Sequence, residues 1–188
     1  MNINELILDL HDIQGNIVFG YGRWGYPLSR YLFFKINDKQ QGMEFVKGLV
    51  PLVTSSAPLD KQNNGVPPLA TTNLAFTYAG LRELGLPDES MRSFPEDFRM
   101  GMKARKDILG DDGPSSPENW DPIWQNNYDV HMFLSINATS ERDLTQRFDQ
   151  VMALVNRAEI GVELLDGHRD GDGKALSKYQ SGNAIVID

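Results

Sequence analysis

The chain has 188 residues, enough for one well-buried core and cramped for two full domains. Its residues are 40% hydrophobic and 23% charged, ordinary for a globular protein, and the formal net charge of -8 argues against a nucleic-acid surface, which needs clustered Lys and Arg. Cysteine is absent, which excludes disulfides, thiolate-held metal centres and a thiol nucleophile.

The N-terminus, Met1-Asn2-Ile3-Asn4-Glu5, carries acid before its short apolar run, the reverse of a secretory signal. No apolar stretch approaches the roughly 20 residues a membrane span needs, so the expected compartment is the cytoplasm. Tyr31-Leu32-Phe33-Phe34-Lys35-Ile36 is aromatic and β-branched between Pro27 and Asn37-Asp38, and predicts a strand. Phe45, Val46, Leu49 and Val50 recur at helical spacing until Pro51. Residues 54–72 are rich in Ser, Asn, Gly and Pro and read as a loop. Asn73 to Tyr78 alternates apolar and polar side chains and predicts a second strand, followed by a helical turn over 80–85. Ser93-Phe94-Pro95-Glu96 has the form of a capping box opening a helix through about Arg105, with the basic cluster Lys103 to Lys106 at its C-terminal end. Residues 109–122 read as loop.

Val130 to Ile136 predicts a third strand. Ser140 and Asp143 cap a helix whose Leu144, Phe148, Val151 and Val155 share one face. Ile160 to Leu165 predicts a fourth strand. The order βαββαβ, with a helical insertion between the second and third strands, gives an α+β, ferredoxin-like fold: an antiparallel sheet with helices on one face, as in dimeric α+β barrel proteins. The other face then expects a covering partner. Residues 1–166 form this domain and 167–188 a Gly/Asp-rich tail.

The chemistry-bearing residues are few. His11, His131 and His168 give no metal-ligand spacing. On the third strand His131 alternates with Met132 and Leu134, which puts it on the open side of the sheet if those face the helices. The bland expectation for it is a partly buried structural histidine. Gly15, Gly20, Gly22 and Gly25 lie outside any strand-to-helix turn, so they predict turns with positive φ rather than a phosphate cradle. Asp166 to Gly173 fails as a calcium loop, because aligning Gly173 with the loop glycine puts His168 and Tyr179 where acids are required. No serine stands in a Gly-x-Ser-x-Gly elbow. Phe33, Phe34, Phe76, Tyr78 and Phe133 read as core.

Several segments nevertheless resemble, in order, the N-terminal half of the dye-decolourising (DyP-type) haem peroxidases. They are Asp12-Ile-Gln-Gly-Asn-Ile-Val-Phe-Gly-Tyr-Gly22, Thr72-Asn-Leu-Ala-Phe-Thr-Tyr-Ala-Gly-Leu-Arg-Glu-Leu-Gly-Leu-Pro87, Ser93-Phe-Pro-Glu-Asp-Phe-Arg-Met-Gly-Met102 and Leu109-Gly-Asp-Asp-Gly113. The resemblance implies two ferredoxin-like domains packed sheet to sheet around haem b, and hydrogen-peroxide-dependent oxidation of dyes and phenolic donors. It implies a distal Asp in a Gly-x-x-Asp-Gly motif, with a proximal His and a distal Arg further downstream. Gly167-His-Arg-Asp-Gly171 matches that motif and nominates Asp170 as the catalytic acid, although its flanking residues depart from the family pattern and place the true motif beyond residue 188. His131 is the candidate cofactor-binding residue. The expectation is a haem-covering half, truncated or separately encoded. It is inactive alone, because haem b would be held by a missing C-terminal peroxidase domain. The alternative is a non-catalytic module that docks on a second copy of itself as a homodimer. A degenerate half-enzyme binding a small apolar ligand is a third reading, from fold analogy.

Overall fold

A computed structural model describes residues 8–21, 25–60, 64–120, 122–125, 130–165 and 184–187. The elements in chain order are α1 (Gly15–Val18), β1 (Leu28–Ile36), α2 (Lys39–Leu49), β2 (Ala70–Phe76), α3 (Tyr78–Glu83), α4 (Asp88–Ser93), α5 (Glu96–Ala104), α6 (Lys106–Leu109), α7 (Pro122–Gln125), β3 (Met132–Ala138), α8 (Glu141–Arg157), β4 (Val162–Leu164) and β5 (Ala184–Ile187). The sheet order β2-β3-β1-β4 is the ferredoxin-like arrangement, with antiparallel neighbours along this path and β3 inserted between the parallel strands β1 and β2. The expected fold class is the one observed. A further strand, β5, pairs parallel with Leu28–Tyr31 of β1, beside the stretch that β4 leaves open. This strand lies in the Gly/Asp-rich tail, where Ala184-Ile185-Val186-Ile187 is a short apolar, β-branched run of the kind that forms strands.

Register decides which side chains share a face. Phe34 faces Met132 and Leu32 faces Leu134, and on the other side of β3 Leu74 and Phe76 face the same two residues. These line the helix side, where α2 contributes Phe45 and Leu49 and α8 contributes Leu144, Val151 and Val155 to one buried cluster. The α8 cap forms as expected: the Ser140 hydroxyl accepts from the Asp143 N–H at 3.2 Å and donates to its carboxylate at 2.6 Å. Hydrogen bonds from Ser140 and Thr139 hold the Asp143 carboxyl below its ordinary range. Phe148 lies under the Arg30 guanidinium, 4.2 Å from ring centroid to Cζ. Among the described residues, no helix is long and apolar enough to cross a membrane.

Several expectations are corrected. β2 runs Ala70–Phe76 rather than 73–78, because Thr77 caps α3 with its hydroxyl accepting from the Gly80 N–H at 3.0 Å, which moves Tyr78 from strand to helix. The capping box at Ser93 and Glu96 does not form. Ser93 is the last residue of α4 and its hydroxyl donates to the Ser90 carbonyl, so α5 starts after Pro95 without a side-chain cap. The helix expected through Arg105 is broken at Gly101, at φ 70° and ψ 175°, a backbone region open essentially to glycine alone. Residues 109–122 contain two short 3₁₀ turns, Gly113–Ser115 and Pro117–Asn119. β4 omits Ile160, which is 86% exposed. Of the opening glycines that are described, only Gly25 has positive φ. Gly15 is required instead by close approach, since a Cβ there would stand 2.6 Å from the Leu59 side chain.

Candidate functional site

The outer face of the sheet, opposite α2 and α8, is where the unexpected aromatics collect. Phe33 and Phe133, which the sequence assigns to the core, are instead directly paired on this outer face and only half-buried. Alternation decides it: Phe34 points into the core, so Phe33 must point away. The Phe133 ring lies 5.5 Å from Tyr31 and 5.4 Å from Phe33, and Phe33 meets the α7 residue Trp124 edge-on at 4.9 Å. Ala75, opposite Phe133 on β2, is exposed, and Leu165 continues the row beyond β1 with its N–H donating to the Phe33 carbonyl. The result is an apolar strip across the middle of the sheet, half-open along its length.

The strip is bounded by polar groups at the other end. The Ser29 hydroxyl donates to Asn137 at 2.6 Å, and the Tyr21 hydroxyl donates to Asn73 Oδ1 at 2.7 Å. Asn73 is 2% exposed, and its Nδ2 has no hydrogen-bond partner among the described residues. Burial pushes the Tyr21 hydroxyl up from its ordinary pKa despite these bonds, and burial pushes that of Tyr26 up to about 12. Both stay protonated donors at neutral pH, and Tyr26 spends its proton on the Pro68 carbonyl at 2.5 Å. A raised phenol pKa leaves stability intact below pH about 10 and erodes it as the pH rises from 10 to about 12. The alkaline limb of a pH–stability curve is expected to start near pH 10 and to shrink in Tyr26→Phe.

The free edge of β2 is closed by Thr54 and Gln14: the Thr54 N–H donates to the Thr72 carbonyl at 2.9 Å, and the Thr54 hydroxyl accepts from the Thr72 N–H at 3.1 Å. Gln14 Nε2 donates to the Leu74 carbonyl at 3.0 Å, while its Oε1 accepts from the Leu74 N–H at 2.8 Å, so an amide stands in for a neighbouring strand. Gln14→Ala is expected to cost about 1–2 kcal/mol in urea unfolding, because two strand groups lose their partner at once.

A second concave surface lies between α3 and the insertion carrying α5 and α7. It is a cavity of about 820 Å³ whose walls include Tyr78, Phe98, Trp120 and Trp124, with Arg82, Arg99 and Arg105 among its polar residues. No local signal marks it in the sequence, because its walls come from segments far apart in the chain and the break at Gly101 is not visible as a helix period.

The nominated residues fall as follows. Asp170 and His168 lie outside the described residues. His11 is exposed, in a shallow groove with Asp9 and Asp60. His131 is 4% exposed, and its Nδ1 accepts the Ile36 N–H at 2.8 Å while its backbone bonds to Phe34 and Thr77. It immediately precedes β3, and α3 packs so closely that a Cβ on Gly80 would overlap its carbonyl. An imidazole that holds haem iron faces an apolar slot. His11 faces solvent and carboxylates, and His131 faces backbone. No group of three or more potential metal ligands occurs among the described residues. Neither of the two described histidines is therefore placed to hold haem iron.

Comparison with known proteins agrees with this architecture. Residues 12–169 match the DyP dimeric α+β barrel domain. The chain is 23% identical over 161 residues to a dye-decolorizing peroxidase of Mycena epipterygia, covering 85% of this chain and 28% of that protein. It is 32% identical over 114 residues to peroxidase 2 of Mycetinis scorodonius, covering 60% of this chain and 20% of that one. Its fold superposes on a crystal structure of a decolorizing peroxidase from Auricularia auricula-judae with a TM-score of 0.65 and 24% identity, over 84% of this chain and 32% of that chain. The chain thus spans about a quarter of the length of the curated relatives it matches. By the span of the family match and the strand order that accompanies it, this chain belongs to the DyP dimeric α+β barrel family, as an N-terminal DyP-type domain.

Proposed function

We propose that this domain is the haem-covering half of a DyP-type peroxidase, and that its outer sheet face receives the ferredoxin-like half that holds haem b. The observation that carries this is the half-open strip of Tyr31, Phe33 and Phe133. A face built of packed but incompletely covered rings buries apolar area when a second sheet docks on it, at roughly 25 cal/mol per Å². Haem, when bound, supplies the redox chemistry of peroxide-dependent oxidation of dyes and phenolic donors. This chain contributes the docking wall and excludes water from it. His131 locks the end of β1 to the start of β3, and Asp170 is its nominee for the distal acid by motif alone.

The reading expects the chain, titrated with hemin in the cytoplasm-like conditions proposed for it, to give no stoichiometric Soret band and no peroxide-dependent dye bleaching above free hemin. A one-to-one band that disappears in His131→Ala would overturn it and make His131 an iron ligand. A second reading, favoured by the dimeric α+β barrel description of its family, is that two copies dock these same faces around a two-fold axis without catalysis. Light scattering separates the two, since a stable monomer removes the second.

A further inference from the structure

We infer that the cavity between α3 and the insertion binds a small aromatic anion, a fused-ring carboxylate or sulfonate. Its volume of about 820 Å³ falls within the range of about 300–1,000 Å³ typical of ligand pockets. Large apolar side chains that would ordinarily be buried are open here: Phe98 is 37% exposed, Met100 43%, Met102 61% and Trp124 39%. Scattered singly such residues mean little, but these four share one concave wall.

The backbone is arranged to make that wall. Residues two apart on a helix point to nearly opposite sides, so Met100 and Met102 could not both face one cavity across an unbroken α5. The break at Gly101 interrupts that alternation, and the whole run from Asp97 to Met102 borders the cavity. Two bonds then hold the walls in place. Lys103 Nζ donates to the Gln125 carbonyl at 2.6 Å, tying α5 to α7, and Trp120 Nε1 donates to the Ser115 carbonyl at 2.9 Å, fixing the indole plane. The site is therefore formed before any ligand arrives, which lowers the entropic cost of binding.

Charge selects the ligand. The chain carries a net charge of -8, yet the cavity is lined by three arginines and one aspartate. Arg105 is paired with that Asp97 at 3.4 Å, and Arg82 meets Glu83 in an exposed ion pair at 3.3 Å. Arg99 has no ion-pair or side-chain hydrogen-bond partner among the described residues. Flat indole and phenyl surfaces beside an available guanidinium suit a planar ring with an anionic substituent.

The probe is 8-anilinonaphthalene-1-sulfonate, read by its own fluorescence and by quenching of Trp120 and Trp124, two of the chain's three tryptophans. Binding is expected to saturate at one per chain and to weaken with added salt. Naphthalene-2-sulfonate should compete well and the neutral 2-naphthalenemethanol poorly. Arg99→Glu should weaken binding about tenfold, the loss expected for a hydrogen bond to a charged group, with the unfolding midpoint unchanged. Failure to saturate, equal competition by the neutral compound, or unaltered affinity in Arg99→Glu would overturn the inference. So would binding that is lost in Phe133→Asp but kept in Arg99→Glu, which would place the probe on the sheet face instead.

Discussion

Phe34→Ala is expected to lower stability by about 3–5 kcal/mol, whereas Phe33→Ala, one residue away, should cost about 1 kcal/mol. The two share sequence context and side chain, so the difference isolates the face each one occupies. Phe34 is fully buried, its ring tilted against Phe45 at a centroid distance of 5.3 Å and surrounded by the cluster that α2 and α8 close. Truncation there leaves a cavity that rigid neighbours cannot collapse. Phe33 is half-buried and loses only its ring contacts to Phe133 and Trp124. Urea unfolding at constant m-value measures both, and equal losses would mean that the outer face is as sealed as the inner one.

Gly80→Ala is the second large effect, at about 3 kcal/mol. The added methyl would overlap the His131 carbonyl oxygen and stand 2.6 Å from its carbon. Neither atom can yield, because His131 is held on three sides: its N–H donates to Phe34, its Nδ1 accepts from Ile36 and its carbonyl accepts from Thr77. Relief requires α3 to lift off the sheet, which breaks the 3.1 Å bond from the Thr77 N–H to the His131 carbonyl and the 2.8 Å bond from the Thr77 hydroxyl to Val130. A loss below about 1 kcal/mol in thermal or urea unfolding would show that α3 is not seated as described.

Most of the architecture was legible because it rests on periodicity. The 3.6-residue spacing of Leu144, Phe148, Val151 and Val155 and the period-two alternation of β3 depend only on neighbours in sequence, and both appear as expected. What escaped depends on competition between local signals. Ser93 offers the same hydroxyl to the end of α4 or to the start of α5, and the sequence does not say which wins. Tyr78 continues the alternation of β2, but the Thr77 cap ends the strand first. The aromatic strip was legible as strand and misassigned as core, since alternation gives two faces without naming the one that is covered. The cavity was invisible for another reason: its walls come from α3, α5, α7 and the turn at Trp120, far apart in sequence, and the break at Gly101 in one wall has no periodic signal.

The histidine problem is of the same kind. Alternation puts His131 on the open side of the sheet, yet it is 4% exposed and its imidazole accepts the Ile36 N–H from 95 residues away in sequence. Only the folded chain shows that an imidazole which could ligate a metal is occupied by backbone.

The central claim is that the outer sheet face is a docking surface for a haem-bearing half. The direct test is to mix the chain with the separately expressed haem-binding half of a DyP-type peroxidase and follow the mixture by sedimentation. A one-to-one complex is expected for the native sequence, with no complex for the double variant Phe33→Asp, Phe133→Asp at equal folded stability. A complex that forms equally well with both charges placed in the strip would contradict the account.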